Sequence, residues 1–130
     1  MKLIYFLLFI SPFVQAQNVQ RKEIMHIPME AAVKVVEVQE ITFSKGIAAP
    51  AHLHPCTVLG YVISGKLKYQ KEGSRPQVLK KGDYFLEPAN ALISHFDNIS
   101  KCKKAKFIAI YLKENQEQAN YEEANHQTSL

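Results

Sequence analysis

The chain predicts an all-β fold, a small sandwich or barrel, and three observations lead there. Runs of β-favouring residues recur with turn signals roughly every 8 to 12 residues. No apolar pattern of helical period appears before the polar C-terminal stretch. At the centre of a glycine- and proline-bounded segment between Gly46 and Gly65 stands His52-Leu53-His54. Strand side chains alternate faces, so two histidines separated by one residue point the same way.

The elements follow in chain order. Residues 1–16 read as a secretory signal peptide: Lys2 supplies the positive start, Leu3 to Ile10 the apolar run, and Val14-Gln15-Ala16 the small-residue cleavage pattern. That run falls short of the roughly 20 apolar residues a membrane span needs, so no stable anchor remains after cleavage. The expected location is secreted or periplasmic. Residues 17–32 form an N-terminal segment with a first strand at Ile24–Ile27.

The barrel domain covers 33–112, with strands at Val33–Phe43, Ile47–His54, Val58–Ser64, Lys66–Gln70, Gln77–Leu79, Tyr84–Glu87, Ile93–Asn98 and Lys106–Leu112. Breakers separate them at Lys45-Gly46, Ser64-Gly65, Glu72-Gly73-Ser74, Lys81-Gly82-Asp83 and Pro88-Ala89-Asn90. In the longest run the apolar parity slips, with Val36 and Val38 even and Ile41 and Phe43 odd, which predicts a bulge near Gln39-Glu40. Residues 113–130 are polar and amide-rich and offer little to bury, so they read as a frayed tail or marginal helix.

The net charge is +4, with positive charge gathered at Lys101, Lys103, Lys104 and Lys106. No aromatic stacking pattern accompanies this cluster, so it reads as a solvated loop and strand edge and not as a nucleic-acid surface. Cys56 and Cys102 leave two readings open. An oxidising compartment permits a disulfide between them, and alternatively Cys56 borders the histidine pair as a free thiol or extra ligand.

Two imidazoles on one strand face can share a divalent transition metal, or can be buried rings satisfied by carbonyls and water. Here the residues resemble the cupin superfamily. Gly46, His52-x-His54 and Gly65 are similar to its first motif, and Gly82-Asp83-Tyr84-Phe85-Leu86-Glu87-Pro88, with Asn98 downstream, to its second. The resemblance implies a double-sheet jelly-roll barrel with a ligand-sized interior. It also implies two further metal ligands, but Val58 stands where the family places a glutamate and Ile93 where it places a histidine. The closing asparagine of the second motif would fall at Asp97, one residue before Asn98, and its customary glycine is Asn90.

Two residues could complete the set. Glu87 shares parity with Phe85, and if both face the interior it is a ligand or general base; otherwise it is an outward strand-end residue. His95 would reach the customary histidine place if the turn after Pro88 ran two residues longer, as ligand, proton shuttle or substrate contact. Tyr61, Tyr69, Phe85 and Phe96 are the candidate pocket walls, or plain core. The expectation is a metal-binding cupin (Fe, Mn, Ni, Cu or Zn) holding a small organic molecule; whether it is an enzyme stays open, and if it is one, its chemistry is dioxygenation or isomerisation. The alternatives are a metal-free small-molecule binder and a homodimeric interaction module.

Overall fold

A computed structural model describes residues 19–116 and 122–123 of the chain. The signal segment at 1–16 lies outside the described residues. Among these residues, no helix is long and apolar enough to cross a membrane.

Among the described residues nine strands follow one another: β1 (Val35–Phe43), β2 (His52–Leu53), β3 (Thr57–Ser64), β4 (Lys66–Lys71), β5 (Gln77–Lys80), β6 (Tyr84–Glu87), β7 (Ile93–Asn98), β8 (Ala105–Lys113) and β9 (Glu122–Glu123). They build two antiparallel sheets, β1-β8-β3-β6 and β5-β4-β7-β2-β9. The inner faces of both sheets share one core, the jelly-roll arrangement that the cupin resemblance implies.

Register sets the layers of that core. In the first sheet Glu37 of β1 lies opposite Tyr111 of β8, Tyr111 opposite Val58 of β3, and Val58 opposite Glu87 of β6. One layer below come Gln39, Ala109, Gly60 and Phe85; below that, Ile41, Phe107 and Val62. One end of the barrel is therefore polar and the other apolar. The apolar end is filled by Phe43, Phe85, Phe96 and Phe107, whose ring centroids stand 4.9–6.0 Å apart, mostly edge to face. Beneath them the buried Asn98 amide donates to the Ser44 and Lys103 carbonyls and accepts from the Ser100 amide, tying two loops to the barrel floor.

Several expectations are corrected. The pairing of β1 with β8 is unbroken from Val35 to Phe43, so there is no bulge at Gln39-Glu40. The odd-numbered residues face inward throughout, which exposes Val36 and Val38 and turns Glu37 and Gln39 into the barrel. The irregularity of this sheet lies in β3, between Val62 and Ser64. There Gly65 (φ 86°) passes so close to β8 that a Cβ would sit 2.6 Å from the Ala105 Cα, which only glycine avoids.

Ile24–Ile27 forms no strand, and the run Ile47–His54 is reduced to one bridge at Ala48 and the two residues of β2. Lys113 is not tail. It ends β8, is buried, and places Nζ 2.7 Å from Glu37 Oε2. Within the expected tail, the Glu122–Glu123 backbone pairs with His52–Leu53.

The disulfide does not form: Cys56 is a buried free thiol and Cys102 an exposed one. Cys56 adjoins the Thr57–Leu112 pair at one end of β8, whereas Cys102 precedes Ala105 at the other. At about 3.4 Å per residue the length of β8 holds them far beyond the roughly 7 Å that a disulfide can bridge.

Gly60 adjoins the Phe85 ring so closely that a Cβ there would overlap it. Tyr69, Phe96 and Phe107 hem that ring in, so it has little room to yield. Gly60→Ala is expected to lower stability by about 1–3 kcal/mol in chemical denaturation; an unchanged midpoint would contradict this packing.

Candidate metal centre

The polar end of the barrel gathers three donors. His52 and His54 flank Leu53 in the short extended segment at β2 and are both buried, so the two imidazoles enter the interior together. A bend at Pro55-Cys56 then carries the chain to β3 in the other sheet, where Val58 is buried too. Glu87 arrives from β6, directly opposite Val58. His54 Nε2 lies 2.9 Å and His52 Nε2 3.8 Å from the same Glu87 oxygen. One donor atom from each of the three residues lies within 4.8 Å of the others, and each side chain is about 5 % exposed.

Local structure explains the aim. The His52 ring stands 2.9 Å from the Pro50 carbonyl through Nδ1. A carbonyl only accepts, so Nδ1 carries the proton and Nε2 is the nitrogen presented to Glu87. A hydrogen bond of this kind behind a ring is what orients a metal-binding histidine. Behind His54, the turn at Pro88-Ala89-Asn90 donates the Asn90 amide to the His54 carbonyl at 2.7 Å. Asn90 takes φ 60°, the left-handed turn that asparagine tolerates. That turn links the end of β6, and hence Glu87, to the histidine segment.

The electrostatics follow from burial and pairing. Burial alone would raise the Glu87 carboxyl, but pairing with His52 and His54 outweighs it and holds the group below its ordinary value. Burial alone would lower His52, but Glu87 and the Pro50 carbonyl outweigh it and raise the imidazole above its ordinary value. Buried Tyr69 and Tyr111 are both pushed up to about 12, first by desolvation and then by the Glu87 charge. Both therefore remain protonated donors at neutral pH. The Tyr69 hydroxyl donates to the Leu86 carbonyl at 2.7 Å, and the Tyr111 ring stands 5.5 Å from that of His54.

The remaining site candidates fall elsewhere. Ile93 is fully buried opposite His52, so the turn after Pro88 is not lengthened. Instead β7 carries a register shift, with Gln70 opposite His95 but Lys71 opposite Ile93. That irregularity turns His95 outward, where its ring pairs with Asp97 at 2.8 Å and is 41 % exposed. The same shift brings Asn98, and not Asp97, to the inner face. Tyr69, Phe85 and Phe96 do point inward, but as members of the packed floor. Tyr61 faces out from β3 and lies against Tyr84 with ring centroids 5.0 Å apart.

Sequence reading missed Glu37, Tyr111 and Lys113, which line the same polar end. Extending the inward parity of Ile41 and Phe43 back along an unbroken β1 would have found Glu37.

A jelly-roll barrel with histidines and a carboxylate converging at one end defines a class of protein, and the comparisons narrow it. Residues 39–111, more than half of the chain, match the cupin domain family. The chain belongs to that family. No curated protein matches it. Among solved structures it resembles the DMSP lyase DddQ from Ruegeria pomeroyi (17 % identity, TM-score 0.61, covering 72 % of this chain and 45 % of that one), a likeness of fold. It also resembles an oxalate oxidase in complex with the substrate analogue glycolate (25 %, 0.55, 62 % and 43 %). A third likeness is to a cupin-like protein from Thermotoga maritima (26 %, 0.56, 67 % and 62 %). The chain thus spans about half the length of the first two structures.

The pairing of Glu87 with His52 predicts a definite pH response of the metal-free protein. The lowered Glu87 contributes its full stability above its ordinary value of 4.5 and loses it as pH falls through its native value. The raised His52 contributes fully below its ordinary 6.5 and loses it as pH rises through its native value. In chelator, the thermal midpoint should fall as pH rises from about 6 to about 8, and His52→Gln should flatten that limb. Identical limbs in the two proteins would refute the coupling.

Proposed function

We propose that this chain is an exported single-domain cupin that binds a divalent transition metal through His52, His54 and Glu87 and holds a small organic molecule beside it. One observation carries the reading: three side chains about 5 % exposed converge on one point, each offering a donor atom within 4.8 Å of the others. A buried carboxylate among apolar walls is costly unless paired or metal-bound, and two imidazoles with a carboxylate suit Fe(II), with Mn, Ni, Cu or Zn as related occupants. When bound, such an ion would supply Lewis acidity or a redox centre, which fits isomerisation or dioxygenation of a small substrate.

The protein's own residues set the surroundings. Val58 and Ile93 wall the donors with apolar surface, keeping water out and electrostatic interactions strong. The aromatic floor fills the far end, so the ligand sits above Phe85 at the polar mouth. The likeness to an oxalate oxidase holding glycolate supports a small organic ligand.

Val58 and Ile93 also favour a second reading, a metal-free binding module, because they occupy two customary ligand places. Metal analysis separates the two. Reconstituted protein should take up one equivalent of Zn(II) or Fe(II), and Glu87→Gln should weaken it at least about 10-fold, since even outer partners of metal ligands cost that much. Absence of uptake in a folded protein would leave the metal-free module.

The outward Val36 and Val38, 58 % and 61 % exposed, fit pairing with a second copy. A concentrated sample should therefore run as a dimer in light scattering and Val38→Lys as a monomer; a monomeric parent protein overturns the pairing.

A further inference from the structure

The mouth holds a second set of polar groups beside the triad. Tyr111 and Lys113 both project inward from β8, and both are nearly fully buried, 5 % and 4 % exposed. Tyr111 sits between Glu37 and Val58 in the row that ends at Glu87, with its ring against His54. Among the described residues its hydroxyl has no hydrogen-bond partner. Buried hydroxyls are rarely left unpaired, because an unmet donor costs about 1–3 kcal/mol. Lys113 spends one N–H on Glu37 at 2.7 Å, and Glu37 also accepts from the Gln39 amide at 2.6 Å.

Charge narrows what could meet that hydroxyl. A divalent ion held by two neutral imidazoles and one carboxylate keeps one positive charge. The Glu37–Lys113 pair adds none, because its charges cancel within 2.7 Å. A buried excess charge is costly, and one anionic group on the ligand removes it. A neutral ligand would leave the excess in place, and a dianion would reverse it.

Resting on the metal reading above, we propose that the mouth selects a small monocarboxylate, with Tyr111 donating its hydroxyl to a carboxylate oxygen and Lys113 cancelling the charge of Glu37 so that the anion is not repelled. Tyr111 thus contacts the ligand, and Lys113 is a positioning residue acting through Glu37. This assigns a ligand class from side chains outside the three donors.

The test uses the full mature chain loaded with Zn(II), with acetate as the probe and acetamide as its uncharged counterpart, read by calorimetry. Acetate should bind and acetamide at least about 10-fold more weakly, the loss of one charge-assisted hydrogen bond being worth roughly that factor or more. Tyr111→Phe should weaken acetate by about 10-fold while leaving Zn(II) affinity unchanged. Lys113→Met should weaken acetate similarly, and adding Glu37→Gln to it should restore binding, a recovery that a merely structural lysine would not give. Equal binding of acetate and acetamide, full acetate affinity in Tyr111→Phe, or no rescue in the double variant overturns the proposal. Failure of the parent protein to take up Zn(II) instead overturns the metal reading, and the monocarboxylate site falls with it.

Discussion

The whole polar end of this barrel is organised around one buried carboxylate. Glu87 is 4 % exposed, and a charge so far from water must be matched by groups that favour it. Two imidazoles do so in the protein alone, and their pairing with it reverses the effect of burial on its protonation. Each of the three is held from behind: His52 by the Pro50 carbonyl, His54 by the Asn90 amide, Glu87 by its place in β6 opposite Val58. The left-handed Asn90 matters for this reason, since the turn it permits lets the end of β6 reach back to the histidine segment.

Antiparallel register then divides the interior. Each inward row of the first sheet takes one residue from each strand, and the rows change character from mouth to floor. Glu37, Tyr111 and Glu87 occupy the polar row. Gly60 and Ala109 in the next row are small, and the Phe85 ring fills the space they leave. Below it the phenylalanines interlock. A barrel filled this way has a packed aromatic floor, and the donors and the Glu37–Lys113 pair lie together in the polar row at its other end.

The donor set also shows how a linear motif can break while two imidazoles and a carboxylate still converge. Val58 occupies the position at which the family resemblance implies a carboxylate, and Glu87 is its direct partner across the β3–β6 ladder. Opposite residues in an antiparallel pair hold their Cβ atoms about 5 Å apart, so a carboxylate moved across the ladder still reaches the two imidazoles. Among the described side chains, no comparable replacement occurs for Ile93. The register shift in β7 carries His95 to the outer face, where Asp97 takes its ring nitrogen.

Alternation along strands made much of this legible from the residues. The spacing of His52 and His54 and the glycine, proline and asparagine turns between short runs determined an all-β barrel and two of the side chains at its polar end, and the shared parity of Phe85 and Glu87 made Glu87 a candidate for the third. Local pattern reads faces only relative to neighbours on the same strand. It left β1 ambiguous, because the apolar parity slips between Val38 and Ile41, and only the unbroken pairing with β8 shows that the parity of Ile41 and Phe43 continues, so that Glu37 and Gln39 face in. It could not place His95, because a single irregularity in β7 inverts the parity of everything after it. Nor could it place Lys113, which looks like the first residue of a polar tail until Glu37, 76 residues earlier, supplies its counter-charge. What the tertiary structure decided are the contacts between distant strands, because a buried charge is acceptable only where another element brings the group that compensates it.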